Sequence, residues 1–115
     1  MIDNKECDIV VLQGTLRMLP IEAKHHYNAD LWTAWRDQLD KLYTRDAGAG
    51  GLGVYLVYWS GEATSRILPT LPAGVNVRPI SALELKIALE DQIPPEDRNR
   101  LRVVVVDISP IAGKA

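Results

Sequence analysis

The chain has 115 residues, 47% of them apolar and 24% charged, with 13 basic against 15 acidic side chains and a net charge of −2. That length fits a single domain over residues 1–115 with a modest core. The slightly acidic balance excludes the global basicity of a nonspecific nucleic-acid binder, so any grip on a phosphate backbone must come from local clusters, a metal or a partner chain.

Cys7 is the one cysteine, which rules out an internal disulfide and fits a reducing compartment. It reads as a small buried hydrophobe beside Asp8. No apolar run approaches the roughly 20 residues needed to span a bilayer. The first six residues are polar and do not resemble a signal peptide. A cytoplasmic protein without membrane contact is expected.

Residues 7–12 read as a first strand and 16–24 as a second. Gln13-Gly14-Thr15 turns between them, giving a hairpin. Pro20 predicts a bulge or bend in the second strand. A helix follows over 29–45, with Asn28 or Asp30 as N-cap. Leu31, Trp35, Leu39 and Leu42 recur at helical spacing and predict its buried stripe. Residues 46–53 form a glycine-rich loop in which Gly48 caps the helix C-terminus. The continuous apolar run 54–59 suggests a strand covered on both faces. Residues 61–79, broken by Pro69, Pro72 and Gly74, are mostly loop.

Ser81-Ala82-Leu83-Glu84 is a capping box that opens a second helix to about Gln92. Pro95 starts one further helical turn. Residues 101–108 are the last strand. The predicted fold class is α/β in the order β-β-α-β-α-β. It comprises a mixed four-stranded sheet flanked by helices, its hairpin antiparallel and its later strands added in parallel by right-handed crossovers.

Glu22 and Lys24 sit two residues apart on a strand, so they share one face, and Ala23 points the other way. Asp8 opens the preceding strand. Two carboxylates on adjacent strands, with the Ala23 carbonyl as a third oxygen, suit Mg²⁺. Lys24 beside them would orient or acidify a bound water and offset charge developing on a phosphate. The bland alternative is a surface salt bridge, and a bare Asp…Glu-x-Lys pattern recurs by chance; the strand context makes it more specific. Gln38, at the edge of the helix stripe, reads equally as a hydrogen-bond partner of a lysine or phosphate there and as a structural residue. Tyr43, five residues on, reads as structural.

His25 and His26 face opposite ways and cannot both ligate one metal, so a partly exposed strand-end histidine is expected. Gly48-Ala49-Gly50-Gly51-Leu52-Gly53 matches G-x-G-x-x-G but runs from helix to strand, the reverse of a dinucleotide site. No serine lies in a G-x-S-x-G context. Trp35, Tyr55 and Trp59 are read as core, while Tyr27 and Trp32 are candidates for stacking on a base. Lys24, Arg36, Lys41, Arg45, Arg66 and Arg78 are the basic residues available to phosphates, but they form no run.

These residues resemble the PD-(D/E)XK nuclease superfamily. Asp8 matches its metal-binding aspartate and Glu22-Ala23-Lys24 its signature, with Gln38 on the helix that follows. The strings Leu19-Pro20-Ile21-Glu22-Ala23-Lys24, Leu31-Trp32-Thr33-Ala34, Gln38-Leu39, Tyr43 and Gly53-Val54-Tyr55-Leu56-Val57-Tyr58-Trp59 look like a bacterial subgroup often found at the C-terminus of larger proteins. The resemblance covers most of residues 7–60. It implies Mg²⁺- or Mn²⁺-dependent cleavage of DNA, less often RNA, with catalytic Asp8, Glu22, Lys24 and Gln38 and metal ligands Asp8, Glu22 and Ala23. It also implies the restriction-endonuclease-like fold. Two departures stand out: the family's usual N-terminal helix and strand have no counterpart, and Cys7 replaces the proline before the aspartate. A fragment, a minimal form and a domain completed by a homodimer or partner domain are all compatible with this. A non-catalytic domain of the same fold, serving nucleic-acid binding or assembly, is the alternative function.

Overall fold

The computed structural model describes residues 9–13, 17–45 and 48–110, with the backbone alone for 9–13 and 17. It is a small α/β domain. Its centre is three parallel strands, β2 (Arg17–His25), β3 (Gly53–Trp59) and β4 (Leu101–Asp107), joined by two helical crossovers. The backbone of β1 (Ile9–Gln13) runs antiparallel beside β2, from Ile9 opposite Ile21 to Gln13 opposite Arg17.

Both crossovers advance across the sheet in the same direction. Right-handed connections of that kind place both helices on one face. A single core accordingly joins Leu31, Trp35 and Leu39 of the first crossover to Leu85, Leu89 and Ile93 of the second, over Tyr55, Val57, Leu101 and Val103. β3 alternates buried and half-buried residues, with Tyr55, Val57 and Trp59 inside. Val54, Leu56 and Tyr58 are only half-buried, and Val104 and Val106 beside them are exposed. The run 54–59 is therefore covered fully on one face, not on both.

Pro20 introduces no bulge, because the β1–β2 pairing passes through Val10↔Pro20 without an inserted residue. The Met18 amide donates to the Gly48 carbonyl, so even-numbered amides of β2 point away from β1. The missing N–H of Pro20 faces that side too, where pairing with β3 begins only at Ile21. No ladder bond is lost there.

The first helix is shorter and wider than predicted. Residues 29–33 form hydrogen-bonded turns, and the regular segment is a π-helix, Trp35–Thr44. Two carbonyls at its start are engaged by side chains: Leu31 by the Tyr55 hydroxyl and Trp32 by the Trp35 indole. Neither predicted cap sits at the observed helix start; Asn28 instead accepts the Asp30 amide at 2.8 Å. Bonds from i to i+5 widen the turn beyond the about 3.6 residues of an α-helix. The buried face thus runs through Trp35, Leu39, Asp40 and Thr44, and Leu42 turns out to solvent.

Asp40 is tolerated inside because Arg100 donates to both its oxygens, at 2.7 and 3.1 Å. Thr44 donates to it as well. Gly50 and Gly51 take up the left-handed conformation expected of Gly48, and the Gly51 amide satisfies the Thr44 carbonyl. The second helix, α1 (Ala82–Gln92), opens at Ser81 with the forward half of the predicted capping box, while the return bond from Glu84 reaches one residue further back. Ser81 Oγ accepts the Glu84 amide, and Glu84 accepts the Ile80 amide. A 3₁₀ turn, Pro95–Asp97, leads into β4.

Candidate functional site

Strand alternation puts Glu22 and Lys24 on the helix-covered face of β2, in register with Tyr55 and Val57 of β3. Glu22 is 4% exposed, and Lys24 Nζ lies 3.5 Å from its Oε2. The pair is thus a largely desolvated carboxylate and ammonium rather than a surface ion pair. Ala23 points to the other face, paired with Leu56.

Two residues not singled out for the site complete the surroundings. The Tyr55 hydroxyl donates to the Leu31 carbonyl at 2.6 Å. Burial pushes its phenol far above the ordinary range, and the charges of Glu22 and Asp30 add to the shift. Tyr55 therefore stays protonated as a hydrogen-bond donor. Asp30 lies within electrostatic reach of the same ring, and Gln38 Nε2 donates to Asp30 Oδ2 at 3.4 Å. Glu22 and Tyr55 stand in register on β2 and β3, and Gln38 is bound to the Asp30 carboxylate. A tyrosine inside an apolar strand was the available sign, since a buried hydroxyl needs a partner.

Asp8 lies outside the described residues, as does Cys7. Among the described residues no group of three or more His, Cys, Asp or Glu is placed to hold a metal ion. No family model matches this chain, and neither a curated protein nor a solved structure does.

The histidines separate. His25 is exposed and stacks on Tyr27 with ring centroids 5.0 Å apart. His26 is fully buried against Trp59, contrary to the expectation of a partly exposed ring. The Ser60 amide donates to its Nδ1 at 3.3 Å, so the ring proton sits on Nε2 and is donated to the Arg66 carbonyl at 2.8 Å. His26 ties the end of β2 to the loop after β3. Trp32 is likewise buried, its indole directed at the Pro69 carbonyl, so it cannot stack on a base; Tyr27 is exposed. Four of the proposed phosphate-binding cations are already ion-paired: Lys24 with Glu22, Arg36 with Asp37, Arg45 with Asp40 and Arg78 with Glu62. Tyr43 is half-buried on the π-helix. No helix among the described residues is long and apolar enough to cross a membrane.

Proposed function

We propose that this chain is a metal-dependent nuclease that hydrolyses phosphodiester bonds of DNA in the cytoplasm. The observation that carries the reading is the buried Glu22 carboxylate with the Lys24 ammonium at 3.5 Å on one face of β2. A buried carboxylate is a strong anchor for a hard cation, because water competes poorly for it. Glu22, the Ala23 carbonyl and Asp8 are the proposed oxygen ligands of Mg²⁺ or Mn²⁺. They are hard donors of the type these ions take. The ion when bound supplies Lewis acidity at the scissile phosphate and a more acidic water. Lys24 offsets the charge that develops on the phosphate oxygens. Gln38 donates to Asp30, whose charge is felt at Tyr55. The finer fold proposed with this activity is the mixed four-stranded, restriction-endonuclease-like sheet, acting as a homodimer or with a partner domain.

The ion pairs of Arg36, Arg45 and Arg78 favour a second reading, a non-catalytic domain of this fold used in assembly or nucleic-acid binding. Plasmid and single-stranded DNA incubated with the chain and Mg²⁺ or Mn²⁺, beside Glu22→Ala and Lys24→Ala, separate the two. Cleavage lost in both variants supports the nuclease. Cleavage that persists in both sinks it, and absence of cleavage together with absence of metal binding by calorimetry supports the second reading.

A further inference from the structure

Helix α1 reads Leu83-Glu84-Leu85-Lys86-Ile87-Ala88-Leu89, apolar at every second position. On a helix that spacing spreads aliphatic residues around the axis instead of gathering them in one stripe. Leu85 and Leu89 enter the core. Leu83 and Ile87, one turn apart, are left 67% and 51% exposed. The preceding loop adds Val77 and Ile80, 78% and 75% exposed. Between loop and helix runs a groove of about 390 Å³, with Val75, Val77, Ile87 and Ala88 among its walls. Its charged lining residues are Glu84 and Asp91, both acids. A cluster of exposed aliphatics with a polar rim is the mark of a protein-binding surface.

We infer that this groove docks an amphipathic segment of a partner protein, with an aliphatic pair seated between Val77 and Ile87 and a lysine or arginine against Glu84 and Asp91. Charge complementarity selects this occupant over a second copy. The same helix of a second copy would bring Glu84, Glu90 and Asp91 with one lysine, Lys86, already bonded to Glu90 at 2.7 Å. Acid would then meet acid at the rim, which opposes association. Helix-in-groove docking reads anchors spaced i and i+4 on the incoming helix, the spacing of the aliphatic pair inferred for the partner.

The test titrates the intact chain into two fluorescein-labelled synthetic helical peptides with the same leucine spacing, one carrying lysines and one glutamates, read by polarisation. The lysine peptide is expected to bind about tenfold tighter than the glutamate peptide. Val77→Ser with Ile87→Ser should weaken it by about tenfold, and Glu84→Gln with Asp91→Asn should erase the preference. In the unaltered chain, amide shifts on titration should map to Val77, Glu84 and Ile87, a readout that does not depend on any variant folding. Equal binding of both peptides, no binding, or amide shifts elsewhere overturns the inference. So does concentration-dependent dimerisation abolished by Ile87→Ser, which would make a second copy the occupant.

Discussion

Lys24 Nζ and Glu22 Oε2 lie 3.5 Å apart on the helix-covered face of β2, and the carboxylate is almost entirely withdrawn from solvent. Side chains two apart on a strand share a face, and here Tyr55 and Val57 of β3 stand in register beside them. Substituting one member removes an ion pair from a largely desolvated position, where it counts for more than on the surface. Under the proposed nuclease function, Lys24→Ala should lower metal-dependent DNA cleavage by at least about a hundredfold, for loss of one preorganised electrostatic contact. Its melting temperature should fall as well, because Glu22 loses its neighbour. Lys24→Arg keeps the charge and should recover stability more than activity. Cleavage rates and thermal melts on the same preparations check this, and an active, unfolding-prone Lys24→Ala would contradict it.

Tyr55→Phe removes the donor to the Leu31 carbonyl without opening a cavity. The carbonyl is then left inside the core without that partner, a loss of about 1 to 3 kcal/mol. Urea unfolding should show a lowered midpoint with an unchanged slope. The unaltered protein should show no phenolate from Tyr55 below the pH at which it unfolds, since burial and two nearby carboxylates oppose ionisation.

Asp40 gives the acid limb of stability. Arg100 bonded to its carboxylate holds the folded group below the ordinary carboxylate range, with Thr44 helping and burial opposing. The folded state therefore binds fewer protons than the unfolded chain near the carboxylate range. That stabilisation is present in full above the unfolded value of about 3.9 and is lost as pH falls through the folded value. Asp40→Asn should lower stability at neutral pH by about 2 to 3 kcal/mol, between the values for surface and fully buried pairs. The difference from the unaltered chain should shrink when unfolding is repeated at pH about 3.

Gly53→Ala tests how closely the π-helix approaches β3. An added Cβ would stand 2.7 Å from Thr44 Cγ2 and 3.1 Å from Leu39 Cδ1. Overpacking of this kind destabilises by about 1 to 3 kcal/mol. Gly50→Ala meets no atom within 4 Å and pays only for its φ of +60°, so its loss should be near 1 kcal/mol. Melting temperatures of the two variants rank the effects, and equal losses would argue against the close approach.

Much of this protein is local and therefore legible in its sequence. The capping box Ser81–Glu84, the strand 101–107 and the shared face of Glu22 and Lys24 each follow from neighbours along the chain, through backbone hydrogen bonding and strand alternation. The burial of Trp35, Tyr55 and Trp59 followed from their apolar size. Other features depend on contacts far apart in sequence. Asp40 is internal because Arg100, sixty residues on, neutralises it, and Leu42 is external because the wider helical turn rotates it out. His26 is buried because Ser60 and Arg66 satisfy both its nitrogens. Asp30, read as a cap, instead accepts from Gln38, eight residues on. Local rules determined which segments are strands and which face of β2 carries charge. Tertiary structure decided which polar groups are affordable inside, because a buried charge or hydroxyl is stable only where a partner arrives from elsewhere in the chain.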